Sequence, residues 1–177
     1  MDNRIIIFED NQVDWSCIKS MLESGGLKNY YPVTDKEFRE LKNYLQEFDS
    51  SISLNKAKAR SFISKTIKES DFLLMDYVLK IDDVNINCIR IYIDLKLNNK
   101  ALIYTAQISR HYVLIENEVN ENILTHNIKV VMKPDLEATC EIKEDIDFLC
   151  DNIKKANGLS SSIENTCFDR PPGIKPE

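Results

Sequence analysis

Residues 71–80 read DFLLMDYVLK: four apolar residues, Phe72 to Met75, run directly into the carboxylate of Asp76. The segment reads as a strand over 71–75 that ends on an acid. The same arrangement recurs along the chain. RIIIF (4–8) is a β-branched run closed by Glu9 and Asp10, ALIY (101–104) is followed by Thr105 and Ala106, and IKVVM (128–132) by Lys133 and Pro134. LKNYYPV (27–33) is a weaker strand, in which Pro32 marks a sheet edge or a strand end.

Helix-like segments lie between these runs. In NQVDWSCIKSMLESGG, Asn11 suits an N-cap, Val13, Cys17, Ile18, Met21 and Leu22 share a face, and Gly25-Gly26 ends the helix. Residues 35–69 carry two stripes, Phe38, Leu41, Leu45, Phe48 and then Ala59, Phe62, Ile63, Ile67. DSSIS (49–53) interrupts them, so this is two helices or one broken helix. Residues 83–98 fit both a strand alternation and a helical face. Their place between two strands favours a helix. Ile108, Tyr112, Ile115, Val119 and Ile123 form a further stripe, and Ile142, Ile146, Leu149 and Ile153 the last, which Gly158 can terminate. Strand and helix thus alternate five times. This (βα)5 pattern implies an α/β fold, a doubly wound parallel five-stranded sheet with helices on both faces and right-handed crossovers. The 35–69 region is a helical insertion between strands 2 and 3. The domain spans 1–157, and 158–177, rich in Ser and Pro and without periodicity, reads as a flexible C-terminal tail.

Composition narrows the function classes. The chain has 177 residues, a net charge of −6 and a pI near 5.1. An acidic surface disfavours direct contact with nucleic acid, which needs a basic face. SISLNKAKARS is locally basic, but such a run is more often a solvated helix face. No apolar run reaches the length of a membrane span, and the start is too soon acidic for a signal peptide. Five scattered cysteines, none at C-x-x-C spacing, read as reduced thiols of a cytoplasmic protein, and two histidines leave little for a zinc site. Neither a phosphate-binding glycine loop nor a G-x-S-x-G elbow is present.

In a parallel sheet every strand's carboxyl end opens on one rim, where ligands bind. Glu9 and Asp10, Asp76, Thr105 and Lys133 would converge there. Alone, each has an ordinary reading as a cap or a surface charge. Together they place three carboxylates, a hydroxyl and an ammonium on one rim. Three adjacent carboxylates repel, and a hard divalent cation such as Mg2+ relieves this with oxygen ligands. The lysine and hydroxyl opposite could grip the oxygens of a phosphoryl group carried by Asp76.

The ordered set IIIFEDN, LLMD, LIYTA and VMKP resembles the receiver domain of bacterial two-component response regulators, over roughly residues 3–157. The resemblance implies a flavodoxin-like sheet of strand order 2-1-3-4-5. It implies a stand-alone phosphoacceptor in phosphorelay signalling, with Asp76 phosphorylated by a histidine kinase, a phosphotransfer protein or a small phosphodonor. Mg2+ would be held by Asp10, by Glu9 through water, by Asp76 and by the backbone carbonyl of Val78. Thr105, followed by the small Ala106, would turn to the phosphoryl oxygens, and Lys133 would pair with them, aimed by a cis peptide to Pro134. The output would pass to a downstream effector protein, or the domain would act as a phosphate relay or sink. No nucleic acid, membrane or enzymatic turnover beyond its own phosphorylation and dephosphorylation is implied.

The chain departs from the family in three places. Lys80 stands where the family usually has proline, and DYVLKIDD has no glycine. The aromatic usual on strand 5, three before the lysine, is Val130. The 35–69 segment is longer than usual and offers a partner surface or simply a cover for one sheet face. These departures motivate a rival reading, a pseudo-receiver that binds partners without being switched by phosphate. A third reading is a small Mg2+-dependent phosphatase using the same acids.

Overall fold

A computed structural model describes residues 3–106, 115, 117–119, 127–133, 143–158 and 168–169. β1 (Ile5–Phe8) leads into α1 (Gln12–Ser24), β2 (Tyr30–Tyr31), α2 (Asp35–Gln46) and α3 (Ser53–Thr66). Then come β3 (Phe72–Met75), β4 (Val78–Ile81), β5 (Val84–Asn87), α4 (Cys88–Asp94), β6 (Ala101–Thr105) and β7 (Ile128–Met132). α5 (Lys143–Asn157) and β8 (Phe168–Asp169) close the described chain. The main sheet runs β2-β1-β3-β6-β7-β8, and every neighbouring pair is parallel. The protein is therefore an α/β fold, compatible with a flavodoxin-like one.

The strands are continuous apolar runs because both faces are covered. Side chains alternate between faces with the two-residue period of a strand. Ile6, Phe8, Leu73, Met75, Ile103 and Val130 pack with α2, α3, α4 and the β4–β5 pair. Ile5, Ile7, Phe72, Leu74, Leu102 and Val131 pack with α1 and α5. The insertion is two separate helices. α2 is fastened by a capping box between Thr34 and Glu37 and buries Phe38, Leu41 and Leu45. α3 buries Ala59 and Ile63.

α1 begins as its sequence suggests: the Asn11 side chain accepts from Val13 N, and Trp15, Cys17, Ile18, Met21 and Leu22 are buried. Val13 does not join that face; it is 68% exposed, because it sits at the open start of the helix. At the other end, Gly25 has a φ of −80, which any residue adopts, but a Cβ there would run into Cys150 Sγ of α5. Gly25→Ala is thus expected to destabilise by about 1–3 kcal/mol through overpacking, read as a lowered urea midpoint with an unchanged slope.

Three expectations need correction. The segment after Asp76, where the family resemblance implies a loop, is regular structure. Residues 78–87 form the antiparallel hairpin β4–β5, a separate two-stranded sheet. Leu79, Ile81 and Ile86 point into the core, and Asp82, with φ 51, makes the tight turn. Only 88–94 of the 83–98 segment is helical, capped by the Asn87 side chain. A sixth strand, Phe168–Asp169, pairs with β7 inside the segment read as tail; two residues are too few to leave a periodic signal. Cysteine usage also differs. Cys88 and Cys150 are free and buried, but Cys17 is disulfide-bonded. Among the described residues no helix is long and apolar enough to cross a membrane.

Candidate functional site: an acidic pocket around one buried lysine

The register Phe8↔Met75 brings the residues after β1 beside those after β3, and the Asp76 N–H continues that ladder by donating to the Phe8 carbonyl at 2.9 Å. One strand further, Thr105 pairs with Met132, and the Lys133 N–H donates to the Thr105 carbonyl at 3.0 Å. Parallel pairing alone therefore gathers Glu9, Asp10, Asp76, Thr105 and Lys133 on one rim.

Lys133 organises the pocket. Its Nζ lies 2.6 Å from Glu9 Oε2 and 3.2 Å from Asp76 Oδ2. Its side chain is 3% exposed and that of Glu9 2%. The other Glu9 oxygen accepts the backbone N–H groups of Asp10 and Asn11, at 3.0 and 3.1 Å. Burial, offset only in part by Lys133 and reinforced by Asp76, pushes the Glu9 carboxyl up to about 7. Burial alone would lower the Lys133 ammonium, but Glu9 and Asp76 outweigh it and hold that ammonium firmly charged. Cys88, fully buried nearby, feels the same field. Burial raises its thiol well above the ordinary value, and Asp76, Glu9 and Asp10 raise it further.

Glu9, Asp10 and Asp76 each offer an oxygen within 4.8 Å of the others, so the cluster could hold a metal ion. The donor set consists of hard carboxylate oxygens, which suits a hard divalent cation. Val78 opens β4, two residues past Asp76. Thr105 is fully buried at the end of β6, while Ala106 is exposed just beyond it. Pro134, and with it the expected cis peptide, lies outside the described residues, as do Ile108, Tyr112 and Ile123 of the stripe that follows. Ile115 and Val119 of that stripe are buried.

Four features of the pocket escaped the sequence reading. The hairpin reaches back to it, for Lys80 N donates to Asp10 Oδ2 at 3.0 Å. α2 reaches it as well: Lys42 Nζ donates to the Asp10 carbonyl at 2.9 Å, and Gln46 Nε2 clasps Asp82 Oδ2 at the hairpin turn at 2.8 Å. Asp14, in the first turn of α1, places Oδ2 3.5 Å from Lys133 Nζ. Tyr77, next to Asp76, donates its N–H to Asp76 Oδ1 at 2.6 Å and its hydroxyl to Glu118 Oε2 at 2.9 Å. The residue after the acid is thereby tied to the helical residues 117–119. Only Asp14 had a legible signal, one helical turn beyond Asp10.

No family model, curated protein or solved structure matches the chain.

Proposed function

We propose that the protein is a receiver-type phosphoacceptor of flavodoxin-like fold, in which Asp76 accepts a phosphoryl group in a Mg2+-dependent reaction. The observation that carries this reading is the position of Lys133 Nζ, which bridges Asp76 and Glu9 while three carboxylates stand within 4.8 Å of one another. A carboxylate nucleophile has to receive three anionic oxygens where acids already crowd. A fixed ammonium on one side, with room for a divalent cation among the acids, answers that need.

The chemistry follows from the chain's own groups. An oxygen of Asp76 attacks phosphorus, the bond to the donor's leaving group breaks, and the leaving group departs with the bonding pair. Lys133 then meets the phosphoryl oxygens from the side it now holds Asp76 Oδ2. Mg2+, held by Asp10, Asp76 and Glu9, directly or through water, with the Val78 carbonyl, would supply further neutralisation of those oxygens. Thr105 sits one strand from Asp76, where a hydroxyl could follow the new oxygens. The donor would be a histidine kinase, a phosphotransfer protein or a small phosphodonor, and the output would pass through contacts with an effector protein. The test is incorporation of an acid-stable, hydroxylamine-labile phosphoryl group from acetyl phosphate. We expect it with Mg2+ and not with EDTA; incorporation that ignores EDTA overturns the reading.

One set of contacts favours the pseudo-receiver alternative. Lys80 N occupies Asp10 Oδ2, and Val130, fully buried and apolar, stands in place of the usual aromatic. Adding beryllofluoride with Mg2+ separates the two readings. A phosphate-responsive domain is expected to change its amide exchange at residues 117–119, to which Tyr77 is tied through Glu118. Unchanged exchange there supports the pseudo-receiver.

A further inference from the structure

Lys133 has three N–H donors, as any ammonium does. Glu9 and Asp76 take two directions, and the nearest acid in the third is Asp14, 3.5 Å from Nζ. These acids differ in their access to water. The side chains of Glu9 and Asp76 are 2% and 14% exposed, and that of Asp14 is 29%. Asp14 is therefore the most exposed of the three acids around Lys133. An anion approaching the ammonium from solvent meets this charge.

We infer that Asp14 selects the phosphodonor by its charge, disfavouring dianionic donors at the Asp76 site relative to monoanionic ones. The inference rests on Asp76 being the phosphoacceptor. Asp14 takes no part in bond making. The Asp76 oxygen attacks phosphorus, and the P–O bond to acetate or the P–N bond to ammonia breaks with the electron pair leaving on that group. What Asp14 changes is the energy of bringing the anion to Lys133. A Coulomb penalty scales with the donor's charge, so its effect on the rate for a dianion is the square of that for a monoanion. Removing Asp14 for a merely structural reason, such as a displaced Lys133, would change both rates by a similar factor.

The experiment compares initial phosphorylation rates of the wild type and Asp14→Asn with acetyl phosphate, a dianion near neutral pH, and phosphoramidate, a monoanion. Mg2+ is present throughout, at low and at high salt. At low salt the variant is expected to speed phosphoramidate about twofold to threefold and acetyl phosphate about fourfold to tenfold. Both gains should shrink near ~1 M salt, where the Debye length is about 3 Å, but only in part, because Lys133 is buried. Asp14→Glu, which keeps the charge, should keep the wild-type ratio of the two rates. Equal changes for both donors, no change, or a decrease overturns the inference and leaves the Asp76 reading standing. A wild type that takes label from neither donor overturns the Asp76 reading, and the inference with it.

Discussion

Asp76→Asn is expected to abolish phosphoryl incorporation from acetyl phosphate, leaving less than about a hundredth of the wild-type rate, since the variant lacks the nucleophile itself. Glu9 does not replace it. One Glu9 oxygen is held by two backbone N–H groups and the other by Lys133, and the side chain is 2% exposed. Asp10 does not replace it either, because the acids within 4 Å of Lys133 are Glu9, Asp14 and Asp76, so a phosphoryl group on Asp10 would lack that ammonium. The fold should survive, because asparagine keeps the shape and Lys133 keeps Glu9 at 2.6 Å, while the amide oxygen accepts from one of Tyr77 N and Lys133 rather than both. Intact-mass analysis at neutral pH after incubation with donor and Mg2+ gives the readout, and circular dichroism checks the fold. A variant that labels like the wild type would move the phosphoacceptor to another residue.

Lys133→Met is expected to cost about 3–5 kcal/mol of stability in Mg2+-free buffer, the usual consequence of leaving a buried charge without its partner. The methionine fills much of the same volume, so a packing loss is not the main term. What goes is the only ammonium among the described residues that lies within 4 Å of the Glu9 carboxylate. Mg2+ should return part of the loss, because a cation among Glu9, Asp10 and Asp76 relieves the same repulsion. Urea unfolding with and without Mg2+ measures both effects. A loss below about 1 kcal/mol would mean that Lys133 does not balance these acids, and a loss indifferent to Mg2+ would remove the metal from the pocket.

Much of this rim was legible because each sheet strand is a short apolar run cut off by a polar residue. RIIIF, DFLLM, ALIY and IKVVM became β1, β3, β6 and β7 within one residue at either end. LKNYYPV shrank to Tyr30–Tyr31, the only part of it that pairs with β1. The hairpin was missed although its residues show a pattern. Leu79, Ile81 and Ile86 are buried and Lys80 and Asn85 exposed, an alternation that suits a strand pair about a turn at Asp82-Asp83. The alternation is short, and after a slip of one residue between Ile86 and Ile89 a second one, Ile89, Ile91 and Ile93, runs through the helix at 88–94. Periodicity over so few residues does not separate a strand from a helix.

The amino-acid sequence by itself determined the parallel α/β architecture and the set of groups on its carboxyl rim. Burial leaves a local record along a strand or helix, and the residue that ends a strand is read directly. Only the tertiary structure decided what those groups do to each other. Lys133 bridges Glu9 and Asp76 with Asp14 3.5 Å away, the hairpin returns to hold Asp10, and Tyr77 ties the pocket to Glu118. These contacts join residues far apart in the chain. They depend on how strands register and how helices cross the sheet, and that information lies in side-chain packing between elements rather than in the pattern along any one of them.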